Sequence, residues 1–139
     1  MKTATSMPGE TDLARLLAAM SPRLDETVYV FAVLLTETPE PAGLAPLLRF
    51  AEDEGTTLVL PREEAERAGL RFTFPCRRIV LEIHSSLEAV GFLAAILPRL
   101  ASAGIGVNPV SAFHHDHLFV PEERAADAMA ILAAFSADA

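Results

Sequence analysis

The sequence predicts an α+β protein built from two copies of a βαββαβ module. The stretch VLPREEA at 59–65 is echoed by FVPEERA at 119–125, and each is an apolar strand end, a proline and an acidic helix start. A hairpin-like segment precedes each stretch, and a helical pattern lies further back. The shared order of elements indicates a duplication. We therefore expect a first module over residues 1–75, with an unclear opening strand, and a second over residues 76–139.

The first module is predicted to begin with a helix and a buried strand. Thr11 or Asp12 can cap a helix whose apolar residues recur at helical spacing, and Ser21-Pro22 stops it. The β-branched and aromatic run Thr27–Leu34 is typical of a buried strand. Three prolines and a glycine predict a loop over Thr36–Pro46.

The remainder of the first module contains a second helix between strands. Leu47–Phe50 is compatible with a strand or a short helix, and Thr57–Leu60 is typical of a strand. Pro61 suits the first position of a helix, which Gly69 ends. A strand over Phe72–Pro75 follows, with a break before the second module.

The second module has the clearer pattern. A strand over Arg78–His84 is followed by a helix predicted to begin at Leu87, with apolar residues on a wide face. Ile105–Phe113 and Leu118–Val120 are predicted to form a hairpin, and Pro121 opens a final helix. The inward residues of this last helix are expected to be Ala125, Ala128, Met129, Leu132 and Phe135.

The two predicted modules are each short of one strand. The first lacks an obvious opening strand, and the second has no residues left for a closing one. Modules with missing edges are expected to share a sheet, either within the chain or between chains. The exposed edges predict a homodimer.

Composition limits the classes of function. Half of the 139 residues are apolar, whereas the net charge is −8 and only 11 residues are Lys or Arg, which argues against a nucleic-acid partner. The chain has neither an 18-residue apolar run nor a pattern typical of a secretory signal, so we expect no membrane partner. The single cysteine, Cys76, fits a reducing cytoplasm and is expected to be a small packed residue.

The most informative segment is the predicted turn from strand to helix at 84–91, HSSLEAVG. Backbone N–H groups are unpaired at a helix start, and the partial positive charge there attracts carboxylates. Gly91, which has no Cβ, would allow close approach of a ligand or of another backbone. This segment predicts a place to hold a small anion-bearing molecule rather than a set of catalytic groups.

Three motifs resemble a known family. The run at 84–91, the segment His115–Pro121 and the segment Glu54–Leu60 look like the short tandem ACT-domain proteins of bacteria, which are distant relatives of the eukaryotic arginine sensor. The resemblance covers roughly Asp12 to Ala134. It implies two ferredoxin-like modules with antiparallel sheets, and an amino acid bound as a regulatory ligand at a module interface, near the turn from first strand to first helix.

The resemblance places the ligand at His84–Gly91, and we expect neither a cofactor nor catalysis. Backbone N–H groups near Ser86–Glu88 would hold the carboxylate, and Glu88 could receive an ammonium group. The candidate ligand-binding residues are Ser85, Ser86, Leu87, Glu88, Ala89, Val90 and Gly91, with Asn108 and Val110 across the groove. Each has a simpler structural explanation, such as helix capping by the serines, dipole compensation by Glu88, tight packing at Gly91 and a backbone bend at Asn108.

A divalent-metal site is the first alternative. His114, His115 and His117 with Asp116 resemble a ligand cluster, and His84 is a further candidate. The pair His115 and His117 would face the same way in a strand. Zinc sites usually draw ligands from separate elements, however, and no Cys pair or HExxH motif is present. The default expectation for Asp116 is a structural role, accepting hydrogen bonds from the turn backbone.

A small hydrolase-like enzyme is the second alternative. His84 beside Ser85 resembles a base next to a nucleophile, but adjacent strand residues point to opposite faces of a sheet. The sequence has no Gly-x-Ser-x-Gly elbow and no phosphate-binding glycine loop. We therefore expect a non-catalytic cytoplasmic protein.

Overall fold

The computed structural model describes residues 9–137, which form two compact units. Among the described residues, one unit comprises residues 9–25 together with residues 78–137, and the other comprises Glu26–Arg77. The elements in chain order are α1 (Leu13–Ala19), β1 (Pro22–Leu35), β2 (Leu48–Glu52), β3 (Gly55–Pro61), α2 (Arg62–Arg67), β4 (Arg71–Leu81), α3 (Phe92–Ser102), β5 (Asn108–Ser111), β6 (Asp116–Pro121) and α4 (Ala125–Ala137). A short 3₁₀ turn, Glu122–Arg124, leads into α4.

The unit Glu26–Arg77 has the strand order β2-β3-β1-β4. Strand β3 pairs antiparallel with both β2 and β1. This is the order of a ferredoxin-like module in which β1 is the opening strand, so the expected α+β fold with antiparallel sheets is confirmed. The segment Thr36–Pro46 contains no helix, as predicted, and α2 contributes the buried Ala65 to the core, against which Leu44 of the loop also packs. The core of this unit is formed by Val30, Ala32, Leu34, Leu58, Leu60 and Ala65.

The other unit completes its sheet with the start of β1. Pro22–Asp25 lies beside the end of β4, where Glu82 N–H donates to Ser21 O at 2.7 Å and Arg78 donates to Asp25 Oδ2 at 2.8 Å. Strands β6 and β5 follow outward in the sheet. Within residues 9–137 no strand follows α4, and the position of a closing strand in the second module is filled by Pro22–Asp25.

The core of this unit includes residues from α1, α3 and α4. Leu16 of α1, Ile96 of α3 and Leu132 of α4 are each fully buried. The expected inward residues of the last helix are confirmed for Ala125, Ala128, Leu132 and Phe135, whereas Met129 is only partly buried. The predicted division at residue 75 places residues 9–25 in the first module, whereas the contacts group them with the second. The boundary itself stays a prediction.

Several predicted element boundaries are wrong, including that of the strand expected over Ile105–Phe113, which is limited to Asn108–Ser111. The helix expected to begin at Leu87 begins at Phe92, because the intervening residues form a turn in which Ala89 N–H donates to Ser86 O at 3.0 Å. The preceding strand ends at Leu81, not at His84. The two strands predicted on either side of residues 76–77 form the single strand β4, in which Phe74 has a positive φ of 60°.

Cys76 is buried in the sheet of the unit Glu26–Arg77. Its Sγ donates to the carbonyl oxygen of Tyr29 at 3.4 Å, and burial raises the pKa of the thiol to about 12. This confirms the expected packing role. Among the described residues, no helix is both long enough and apolar enough to cross a membrane.

Candidate ligand-binding site

A cavity of about 170 Å³ opens in the unit that contains α3. For comparison, a cavity of about 150 Å³ in another protein holds benzene, so a small molecule fits. The cavity is lined by the loop that follows β4, by the first turn of α3 and by the β5–β6 hairpin. Its lining residues are Ser85, Ser86, Leu87, Ala89, Gly91, Phe92, Leu93, Ala94, Ser111 and Asp116.

A buried carboxylate, that of Asp116, forms one side of the cavity. Its side chain is 6% exposed, with Oδ2 accepting from Ser85 Oγ at 2.9 Å and Oδ1 accepting from Ser111 Oγ at 2.5 Å. The expected role of Asp116, accepting hydrogen bonds from the turn backbone, is therefore replaced by bonds from two serine hydroxyls. The turn itself is closed by Ala112 N–H donating to His115 O at 3.0 Å.

The first turn of α3 forms another side of the cavity. Phe92, Leu93 and Ala94 line it, and Ala95 N–H donates to Gly91 O at 2.9 Å as the helical ladder begins. N–H groups in a first helical turn have no carbonyl partner within the helix and carry a partial positive charge. The cavity thus combines a negatively charged carboxylate with the positive end of a helix.

The structure brings together five of the nine predicted ligand residues. Ser85, Ser86, Leu87, Ala89 and Gly91 line the cavity. The other four, Glu88, Val90, Asn108 and Val110, do not line it. Val90 is 85% exposed, and Glu88 is also exposed, since the turn at 87–91 directs them outward.

The N–H groups expected to hold a carboxylate are engaged elsewhere. Ser86 N–H donates to Glu10 O at 2.9 Å, and Glu88 N–H donates to Ser86 Oγ at 3.0 Å. The serine at 86 therefore caps the turn rather than a helix. The corresponding helical N–H groups lie at Phe92–Ala94, because the helix begins five residues later than predicted.

Sequence reasoning missed Asp116 as a lining group, although a signal was present. Asp116, Leu118 and Val120 alternate along β6, so they share one face of the strand. Leu118 and Val120 are fully buried, which directs the carboxylate inward as well. An acidic residue at the end of an apolar alternation is the pattern that predicts a buried carboxylate.

Three histidines, His84, His114 and His115, form a ring cluster with Phe113. The rings of His84 and His114 lie 5.2 Å apart, and Phe113 is 5.0 Å from His114. Burial lowers the pKa of His115 and of His117, and in both cases burial is the largest cause. Within residues 9–137, no group of three His, Cys, Asp or Glu side chains is placed to hold a metal ion.

The serine considered as a nucleophile has a carboxylate partner. Ser85 Oγ donates to Asp116, and the side chain is 6% exposed. His84 Nε2 is buried without a hydrogen-bond partner in the described structure. A serine nucleophile is activated by a hydrogen bond to a neighbouring base such as histidine. The Ser85 hydroxyl is bonded to Asp116 instead of to His84.

Comparisons with known proteins agree with this architecture. Two family models, each described as ACT domain, match residues 8–77 and 73–134. A Vibrio cholerae protein of unknown function, named a possible transport protein, is 40% identical over 89% of this chain and 95% of its own, with a TM-score of 0.80. No curated protein matches the chain.

Two more distant structures share the fold. An Agrobacterium tumefaciens protein has 20% identity and a TM-score of 0.71, covering 84% of this chain and 89% of its own. The regulatory subunit of aspartate kinase from Thermus flavus has 12% identity and a TM-score of 0.64, covering 85% of this chain and 98% of its own. With two matching domain models that together extend from residue 8 to residue 134, this chain belongs to the ACT-domain family and carries two ACT domains in tandem.

Proposed function

We propose that the protein binds a free amino acid in the cavity beside α3 and acts as a non-catalytic regulatory protein of the cytoplasm. The observation that supports this is the pairing of opposite charges in one cavity: Asp116 on one side and the N-terminus of α3 on the other. An amino acid carries both an ammonium and a carboxylate group, so it complements both sides at once.

The charge balance of the cavity favours this ligand class over a simple anion. None of the lining residues is Lys, Arg or His, and the one charged lining group is negative. A buried charge is costly unless it is paired. An ammonium group beside Asp116 supplies such a pairing, while the N–H groups of Phe92–Ala94 receive the carboxylate.

The remaining lining groups limit the size and polarity of the ligand's side chain. Leu87, Ala89 and Leu93 contribute apolar surface, whereas Ser111 contributes a hydroxyl near the carboxylate of Asp116. The small volume together with apolar walls favours a short neutral side chain. L-alanine, L-serine and L-valine are therefore the first ligands to test.

Thermal unfolding in the presence of each of the twenty amino acids tests the proposal. A ligand that binds only the folded protein raises the Tm by mass action. The sharper control uses analogues of each amino acid that raises the Tm: the N-acetyl derivative lacks the ammonium group, and the corresponding primary amine lacks the carboxylate. We expect both to lose the shift. A metabolite without an ammonium group that raises the Tm equally would contradict the assigned role of Asp116.

We also propose that the protein is a homodimer that uses one sheet face of the unit Glu26–Arg77. Phe50, Thr57 and Val33 face each other across three strands, on the side opposite the core residues of β1. Phe50 is 61% exposed. An apolar groove of about 380 Å³ on this unit is bordered by Glu52 and Arg71. A two-fold axis would let the Arg71 of each copy meet the Glu52 of the other.

Light scattering at micromolar concentration tests the dimer. We expect a mass of twice 14.9 kDa for the wild type. Phe50→Glu should give the monomer mass, since it places a charge in the apolar face. Phe113→Glu, at a phenylalanine of similar exposure in the other unit, should remain dimeric. A wild-type mass near that of one chain would contradict the proposal.

A further inference from the structure

A short piece of backbone near the N-terminus lies directly on the loop that carries Ser85. Glu10 N–H donates to His84 O at 2.8 Å, and Ser86 N–H donates to Glu10 O at 2.9 Å. Glu10 and Ser85 thereby form an isolated parallel bridge outside the main strands. We call residues 9–12 the N-terminal strap. Two of the residues that it contacts, Ser85 and Ser86, line the cavity.

Gly9 makes this contact possible because it has no side chain. A Cβ at this position would lie 2.4 Å from His84 O, 2.5 Å from the carbonyl carbon of Ser85 and 2.7 Å from Ser86 N. All three atoms belong to backbone, so none can rotate away as a flexible side chain would. Any larger residue at position 9 must therefore displace either the strap or the loop.

The strap is also fixed on its other side by helix α1. The Glu10 carboxylate accepts from Asp12 N–H at 2.9 Å and from Thr11 N–H at 3.1 Å. Asp12 caps the helix by accepting from Arg15 N–H at 3.1 Å. Leu16, one turn further along, is fully buried in the core. The strap thus connects a packed helix to the cavity loop.

We propose that Gly9 is a positioning residue for the cavity, an inference that rests on the proposed amino-acid site. The strap holds the backbone of Ser85 and Ser86 so that Ser85 Oγ reaches Asp116 at 2.9 Å. A displacement of about 1 Å would break that hydrogen bond, since geometry beyond about 3.5 Å no longer supports one. Binding groups need to be held within about 0.5 Å of their productive geometry. Gly9 acts through the loop and does not line the cavity itself.

Gly9→Ala compared with Gly106→Ala tests this role. Gly106 is the matched control because a Cβ there meets no atom within 4 Å. Two quantities are measured: the hydrogen-exchange rate of the Ser86 amide in the ligand-free protein, by NMR, and the affinity for L-alanine, L-serine and L-valine, by calorimetry. In Gly9→Ala we expect Ser86 exchange to accelerate about tenfold or more and affinity to fall about tenfold, the size of one lost hydrogen bond. Gly106→Ala should change neither.

Glu10→Pro provides a second variant that does not depend on a steric clash. Proline removes the N–H that donates to His84 O, and the carboxylate is lost with it. Glu10→Ala is the control, because it removes the same carboxylate and keeps the N–H. We expect Glu10→Pro to reproduce the Gly9→Ala phenotype and Glu10→Ala to weaken the affinity far less.

The outcomes distinguish a failure of the strap as a restraint on the loop from a failure of the proposed amino-acid site. Unchanged Ser86 exchange in Gly9→Ala would overturn the strap as a restraint on the loop. Faster exchange with unchanged affinity would overturn the positioning role. If the wild-type protein binds none of the three amino acids, the proposed preference for short neutral side chains fails, and the exchange rates alone decide whether the strap restrains the loop.

Discussion

Replacing Asp116 with alanine is expected to lower the free energy of unfolding by about 1–3 kcal/mol and to abolish amino-acid binding. The carboxylate accepts from two serine hydroxyls, and Ser85 is too buried to exchange its lost partner for water easily. Removing a buried charge also relieves a desolvation cost, which acts in the opposite direction. Hydrogen bonds to charged groups contribute about 1.5–3 kcal/mol each, so two of them should outweigh that relief.

Asp116→Asn separates the effect on stability from the effect on amino-acid binding. The amide has nearly the same size and can still accept one hydrogen bond through its oxygen, so stability should fall less than in Asp116→Ala. It carries no charge, however, and should bind an ammonium group as poorly as the alanine variant. Urea denaturation and calorimetry measure the two quantities. An alanine variant as stable as the wild type, or an asparagine variant with full affinity, would contradict the assigned role.

Replacing Leu16 with alanine is expected to lower the free energy of unfolding by about 2–5 kcal/mol. The side chain is fully buried among residues of β4, α3 and α4, although α1 lies more than fifty residues away from these elements in the sequence. Deleting it removes buried apolar surface and leaves a cavity that the well-packed neighbours can fill only in part.

Leu17→Ala is the matched control for Leu16→Ala. It removes the same atoms from the same helix at a position that is only partly buried. Urea denaturation should show a much smaller loss for Leu17→Ala than for Leu16→Ala. Equal losses in the two variants would mean that α1 does not contribute a buried residue to this core as described.

Several features of the fold follow from local sequence patterns. The run Thr27–Leu34 predicts a strand because β-branched and aromatic residues pack well on a pleated surface, and it lies within β1. Pro61 and Pro121 each precede a helical turn, since a fixed φ near −65° is compatible with a helix start. The alternating and helical spacing of apolar residues also predicted most of the buried face of α4.

Local patterns do not identify the first residue of α3. Leu87 continues the helical spacing of the residues after it, and Ser85-Ser86 resembles a cap, so the local pattern predicts a helix start there. Ser86 instead forms a turn with Glu88 and Ala89, while its own N–H pairs with Glu10, more than seventy residues earlier. A contact of that separation leaves no periodic signal in either segment.

Local patterns in the sequence predict the class of the protein: an acidic α+β chain with two ACT modules, and a segment at 84–91 of which five residues line the cavity. These depend on composition, on short-range periodicity and on a run of residues adjacent in the chain. Only the folded chain shows that Pro22–Asp25 completes a sheet begun at Arg78, and that Asp116 lies beside Ser85. Both depend on pairings between distant segments, where many partners satisfy local propensity equally and only the packing of the whole core selects one.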